Sequence, residues 1–468
     1  ADLEYPGEAK SDANSGLSAL GRRTDEYLLQ TRGETYQFGV SLESGGIYNT
    51  VSGGIDVRDC PSGASAGNWE GTCRNLTKER QSGYITLLRP TVLGQIKDSF
   101  AFYSDLKFYI LTGDRFPDIP KAEGVRYQSG ADFYTAALTT SYGKFKLPWF
   151  ELLLGRGNLS WGPGRHGALL ISDNPLPMDM MKLSAWYKWI KFHAFTSILG
   201  GDISKKYLSG HRLEFNLWDR VSLGIAETMV YAGRFDITFL NPLQIYTVTG
   251  MLPKSVEGES IVSPDNGLDS ADIDILLLKN LEFYGELMID DFQPEFGLRS
   301  PFHWASKWGI LLGFYYIDPF SLPDTDVRVE YAFVNQYAYT HDPMDTTYTH
   351  YYFVIGHHIG ADADDLFIDV RHRFTDKLQM ALSYELERHG EGNVNKPHPQ
   401  DAPWEEEWEF LSGVTESTNS LSLGLSYAVV GRYFADVKYT ASWVKNVSNK
   451  LGENSTRHQF ILNGSYRF

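Results

Sequence analysis

From Thr456 to the end of the chain, apolar and polar positions alternate strictly. Phe460, Leu462, Gly464, Tyr466 and Phe468 fall on one side of a period-2 pattern, and Gln459, Asn463, Ser465 and Arg467 on the other. The same two-faced pattern recurs upstream. Leu378, Met380, Leu382, Tyr384 and Leu386 interleave with Gln379, Ala381, Ser383, Glu385 and Glu387, and Leu421, Leu423, Leu425, Tyr427 and Val429 with Ser422, Gly424, Ser426 and Ala428. Leu213, Phe215 and Leu217, then Leu281, Phe283, Leu287 and Ile289, then Val327, Val329, Tyr331 and Phe333 repeat it against Arg212, Glu214, Glu282, Glu286, Asp290, Asp326, Arg328 and Glu330. Period-2 alternation without intervening helices predicts antiparallel strands with one apolar face. A soluble sandwich also alternates, but it buries its apolar face against a second sheet and rarely needs so many charged partners opposite. A closed barrel in an outer membrane needs this repetition.

Candidate strands fall at 36–42, 82–94, 98–111, 131–142, 148–156, 183–189, 190–199, 208–218, 220–230, 271–278, 281–290, 306–316, 326–339, 351–359, 364–374, 377–388, 418–429, 432–444 and 456–468. Bacterial single-chain barrels have even strand numbers, so the expected count is 18, with the split of 183–199 the doubtful one. The expectation is an all-β, transmembrane antiparallel β-barrel over 34–468, preceded by a small periplasmic helical segment, 1–33, in which Leu17, Leu20, Tyr27 and Leu28 are spaced for one face. With both termini periplasmic, the long connections 45–81, 112–130, 157–182 and 389–417 lie outside, and 95–97, 143–147, 374–377 and 431–432 are inner turns. The two counts meet badly at 231–270, which holds an extra strand, a lumen-folded loop or both.

Composition agrees. There are 28 Tyr, 27 Phe, 11 Trp and 44 Gly, with 22% charged residues, too polar for a helical membrane protein and rich in the aromatics that form interfacial girdles. The longest apolar run, Trp308 to Ile317, is half of the roughly 20 residues a spanning helix requires. Ala1-Asp2-Leu3-Glu4 is not a leader, so the chain reads as mature. A net charge of -17 argues against nucleic acid as partner, since phosphate binding needs a basic surface, and fits either divalent cations and sugars or a solvated acidic loop surface. Cys60 and Cys73, the only cysteines, read as a loop-closing disulfide in an oxidising compartment, worth about 3 kcal/mol. They make no zinc site, and no metal or cofactor is expected.

The segment Leu153-Leu154-Gly155-Arg156-Gly157-Asn158-Leu159-Ser160-Trp161-Gly162-Pro163-Gly164-Arg165-His166-Gly167-Ala168-Leu169-Leu170-Ile171-Ser172-Asp173-Asn174 resembles the Trp-Gly-Pro-Gly region of the capsule assembly protein Wzi family. Ala226-Glu227-Thr228 with Tyr231, Asn241-Pro242, Tyr284-Gly285-Glu286 with Asp290-Asp291, and Lys307-Trp308-Gly309 resemble further stations in the same order. The resemblance covers about 150–340. It implies an 18-stranded outer-membrane barrel with a periplasmic helical plug, acting as a lectin that holds capsular polysaccharide, and it transfers no sugar-contact position to this chain.

Two segments carry candidate binding chemistry. In 157–182, closely spaced glycines, Pro163, Trp161, Arg165 and His166 suit a loop folded inward to constrict the lumen, or one that only packs on the wall. Trp404-Glu405-Glu406-Glu407-Trp408-Glu409-Phe410 combines aromatic platforms with carboxylates, as sugar recognition requires, or is an acidic loop whose tryptophans sit at the lipid interface. The candidate glycan residues are therefore Trp161, Arg165, His166, Trp404 and Trp408. Gly360-Ala361-Asp362-Ala363-Asp364-Asp365 lacks the spacing and the bidentate Glu of a calcium loop. No catalytic residue is expected: His193, His211, His357, His358 and His372 are scattered, and no Gly-x-Ser-x-Gly or His-Glu-x-x-His occurs. Two functions stay open. One is a non-enzymatic barrel retaining surface polysaccharide, with outer-membrane lipid, lipopolysaccharide and other outer-membrane proteins as further partners. The other is a porin-like channel or a structural subunit of a larger outer-membrane assembly. The inward charges, Asp105, Lys107, Arg212, Glu214, Asp369, Arg371, Arg373, Asp436 and Lys438, suit either.

Overall fold

The computed structural model describes residues 29–32, 36–53, 80–113, 133–134, 140–201, 205–233, 235–250, 254–256, 259–261, 265–290, 303–342, 344–351, 353–399, 406–430 and 433–467. Among them, 18 antiparallel strands close into a barrel. They are β1 (Tyr36–Gly53), β2 (Arg80–Ile96), β3 (Phe100–Asp105 continuing as Phe108–Gly113), β4 (Phe133–Tyr134 and Thr140–Leu147), β5 (Phe150–Gly157), β6 (Met178–Tyr187), β7 (Ile190–Leu199), β8 (Lys206–Leu217) and β9 (Val221–Ala232). The circuit continues through β10 (Asn266–Leu278), β11 (Leu281–Asp290), β12 (Lys307–Ile317), β13 (Thr325–Val334), β14 (Ala363–Thr375), β15 (Leu378–His389), β16 (Glu416–Val430), β17 (Tyr433–Lys445) and β18 (Asn454–Arg467).

Each strand pairs with the next, and β18 closes on β1 from Glu43↔Arg467 to Gly53↔Arg457. Closure leaves no open edge, which a lipid environment demands because it offers no substitute hydrogen-bond partner. Below Glu43 β1 has outrun β18, and there the short strand Leu29–Arg32 pairs with Gln37–Val40. These four residues were expected within the helical segment; they form a strand because the seam leaves backbone groups to be satisfied. The rest of that segment, 1–28, lies outside the described residues.

Along β16, Leu421, Leu423, Leu425 and Tyr427 are exposed on the outer wall, while Ser422 and its partner Thr440 join hydroxyls on the inner one. The inner face is a lattice of charge pairs, including Arg89 with Asp105 and Arg212 with Asp272. No described helix is long and apolar enough to cross a membrane. One end carries tight turns, such as Trp218 and Asp219, both at positive φ as a type I′ hairpin requires, together with the start of β1 at Tyr36 and the end of β18 at Arg467. The other carries the long connections, so by length it faces outward.

Three expectations change. The surplus candidate is 351–359, not the split of 183–199. Met178–Tyr187 and Ile190–Leu199 are separate strands turning at Lys188, whereas of the described residues within 351–359 only Phe353–Val354 pairs as strand, with Thr349–His350, inside a connection. That run is apolar because it is core, and alternation alone does not tell core from wall. Second, the inner turns expected at 95–97 and 143–147 sit at 97–99 and 148–149, and Thr140–Leu147 is strand. Third, among the described residues of 231–270 there is no further wall strand, and a small hairpin pairs Lys254–Val256 with Glu259–Ile261. Its 235–250 portion folds over the outside of the wall, where Phe239 and Tyr246 bury against Met229 and Tyr231.

Candidate functional site

The connection from β5 to β6, residues 158–177, turns into the lumen. Its two arms meet where Trp161 N donates to Ile171 O at 2.9 Å. Leu169, Leu170 and Ile171 are fully buried, in one core with Met180 and Phe195 of the near wall and Met288, Leu311 and Ala332 of the far wall. The connection from β13 to β14, residues 335–362, descends beside it. Tyr339 hydroxyl accepts from His357 N and donates to Leu169 O, and Ser172 N donates to Ile355 O. Together they fill the lumen between β5 and β14 with close-packed side chains.

Wall carboxylates hold this filling. Glu330 accepts from the backbone N of Arg165 (2.7 Å), His166 (2.9 Å) and Gly167 (3.2 Å), and from the Tyr284 hydroxyl at 2.8 Å. Consecutive N–H groups converging on one anion form a nest, here built by the loop around a carboxylate of the wall. Glu286 does the same for Leu169 N and Leu170 N, both at 2.9 Å. It also explains Gly162, whose φ is 112° and where an added Cβ would lie 2.5 Å from a Glu286 oxygen. Asp290 accepts Tyr339 N. These interactions match the charge-assisted class, which is stronger than neutral hydrogen bonding.

At the bottom of the loop, Arg165 Nη2 donates to Glu282 at 2.8 Å, and His166 stacks flat on Phe367 with ring centroids 3.8 Å apart. His166 Nε2 lies 3.0 Å from Glu385 and 3.5 Å from Asp365, and His358 Nε2 approaches Asp365 at 3.9 Å. Burial opposes charge on His166, but its hydrogen bond to Glu385 and the charges of Asp365, Glu385 and Glu330 outweigh that and hold the imidazole up at about 8. Burial holds His350, whose Nδ1 accepts from Gly200 N, down at about 4.

The outer end holds a second cluster. Trp304 stacks on His398 with centroids 3.9 Å apart, and His398 pairs with Glu406 at 2.9 Å. Trp408 packs on Trp308 and Phe333, residues on the outward face of β12 and β13, and Phe410 beside it stacks on Phe333 while remaining 52% exposed. Asp362 fastens this connection by accepting from Gly392 N, Ser412 N and the Ser412 hydroxyl.

The candidate residues thus separate. Trp161, Arg165 and His166 share the lumen loop, with Trp161 only 5% exposed and edge-on to Phe195 at 5.1 Å. Trp408, 7% exposed, is on the opposite side of the wall, so it does not join them. Trp404, Cys60 and Cys73 lie outside the described residues. The three aspartates of 360–365 have separate partners: Asp362 holds Ser412, Asp364 pairs with Arg388, and Asp365 faces His166. Glu286, Glu330, Asp365 and Glu385 were missed as site residues; inward parity was the signal for Glu330 and Glu385, whereas Glu286 stood in a family-like station and Asp365 in the acidic run 360–365 set aside as a calcium loop.

A family model described as capsule assembly protein Wzi matches residues 92–459. A solved structure described as Wzi, an outer-membrane protein involved in group 1 capsule assembly in Escherichia coli and a carbohydrate-binding β-barrel, superposes with a TM-score of 0.56 at 14% identity, over 90% of this chain and 83% of that one. Two Pseudomonas aeruginosa proteins, OccK8 (OprE) and OpdQ, superpose at TM-scores of 0.49 and 0.48, each at 9% identity over 92% of this chain and 98% and 97% of theirs. No curated protein sequence matches. With the family match spanning most of a closed 18-stranded barrel, the chain belongs to the capsule assembly protein Wzi family and is a protein of the outer membrane.

Proposed function

We propose that this barrel is non-enzymatic and binds and retains capsular or other surface polysaccharide at its loop-bearing end. The observation that carries the reading is the packing inside the barrel: two connections, pinned by Glu286, Glu330 and Asp290, occupy the lumen along β5 to β14. The carbohydrate binding described for the Escherichia coli relative supports it.

The outer rim supplies suitable chemistry. Phe410 presents an exposed ring, Trp304 and His398 form a half-buried stack, and Glu406, Glu407 and Glu409 stand in the same connection as Trp404. Aromatic rings stack on the apolar faces of pyranoses, and carboxylates accept their hydroxyls. Trp161 and Trp408 act by holding loops, and Arg165 and His166 by closing the lumen. The outward leucines meet lipid and lipopolysaccharide.

Calorimetry of the detergent-solubilised protein with extracted surface glycan tests this. Phe410→Ala and Trp404→Ala should each weaken binding about thirtyfold, on the order of 2 kcal/mol, with the barrel still folded. No glycan binding by the intact protein, together with steady conductance in a planar bilayer, would support the channel reading instead.

A further inference from the structure

The lumen brings together four potential metal donors from four parts of the chain. His166 comes from the first inward connection, His358 from the second, Asp365 from β14 and Glu385 from β15, and one ligand atom of each lies within 4.8 Å of all the others. The distances of 3.0, 3.5 and 3.9 Å among them bracket the roughly 3.4 Å edge of a tetrahedron with bonds of about 2.1 Å, the geometry zinc takes with nitrogen and oxygen ligands.

Two further observations point to a ligand. Asp365 is 2% exposed, yet its Oδ1 has no hydrogen-bond partner, an expensive state for a buried carboxylate. His166 is also fixed in place before any ion arrives: its ring lies flat on Phe367 and its backbone N is held by Glu330.

We propose that His166, His358, Asp365 and Glu385 bind one divalent transition-metal ion of the zinc class, which fastens both inward connections to the wall. Two imidazoles and two carboxylates give a neutral site with a dication, and the ion takes the place of the proton that His166 Nε2 otherwise gives Glu385. The site does not depend on the glycan reading, since it joins loops to wall beneath the rim.

The test uses full-length protein in detergent, stripped with chelator and dialysed. Zinc titrated by calorimetry should bind at one equivalent, and cobalt should give the strong visible absorption of a four-coordinate site. Asp365→Asn and His358→Gln should each weaken zinc at least tenfold and abolish the cobalt spectrum, whereas His458→Gln, an exposed histidine of β18, should change neither. Zinc should also slow proteolysis within 158–177 and 335–362 in the wild type alone. Heat-modifiable gel mobility reports whether each variant folds, and Glu385→Gln replaces any that does not. Absence of metal binding by the stripped wild type, or an unchanged cobalt spectrum in folded Asp365→Asn and His358→Gln, overturns the proposal.

Discussion

Among the carboxylates that hold the inward loop, Glu330 takes the largest share of its backbone. Glu330 receives three consecutive backbone N–H groups and one hydroxyl, so removing it strands several buried donors at once. Glu330→Ala should lower the local opening free energy at residues 165–167 by about 3 kcal/mol, which hydrogen exchange would read as somewhat over a hundredfold faster amide exchange. Exchange unchanged at these amides would mean that packing alone holds the loop. Acid should act elsewhere, at His350, which burial keeps near 4 with Lys206, Arg156 and Asp179 around it. An unfolded histidine titrates near 6.5, so between about 6.5 and 4 the opened state binds more protons than the closed one. The seam between Gly200 and His350 is therefore fully stable above pH 6.5 and weakens as pH falls through that window, by on the order of 3 kcal/mol at its end. Limited proteolysis of 335–362 at pH 7 and 4.5 checks this, and His350→Gln should flatten the pH dependence.

The long connections divide between the two faces of the wall. Residues 158–177 and 335–362 pack inside, whereas 235–250 and the 406–411 stretch fold over the outside near the rim. An aromatic anchor holds each kind: Trp161 on Phe195 inside, Trp408 on Trp308 and Phe333 outside. Truncating either leaves a cavity, so Trp161→Ala and Trp408→Ala should each cost about 3–5 kcal/mol locally. The damage should stay within the loop concerned, because the strands keep their own ladders of hydrogen bonds. Mass-spectrometric mapping of protease cuts should place new sites in 158–177 for the first variant and in 390–415 for the second. Cuts spread through the wall strands in either one would contradict that independence.

The barrel as a whole should run faster on a gel before boiling than after it, since its closed ladder resists detergent until heated. Its filled lumen should give no steady conductance. Gly157 and Met178 face each other as the last pair of β5 and β6, so a two-residue turn can replace everything between them. The shortened protein should fold and pass current in a planar bilayer. A silent shortened barrel would mean that 335–362 seals the lumen unaided.

The two-faced wall strands and the membrane class were legible in the chain because a wall strand repeats every two residues and each face meets a different solvent, while the count of 18 also needed the rule that such barrels are even-numbered. Leu421 to Tyr427 and Phe460 to Tyr466 carry that signal without help from neighbours. Where a segment leaves the wall the period no longer says where it goes, and 351–359 reads as a strand while burying as plug. The family resemblance rested on short local strings, Trp161 to Gly164 first and then stations such as Tyr284-Gly285-Glu286 and Lys307-Trp308-Gly309 in the same order. What tertiary structure alone decided is which inward side chains meet. Glu330 and Gly167 are 163 positions apart, and His166 and Glu385 219, and nothing in the separate segments encodes the strand tilt and loop depth that bring them together. The same holds for Trp161 and Trp408, alike in composition and placed on opposite sides of one wall, because only the closed sheet defines an inside.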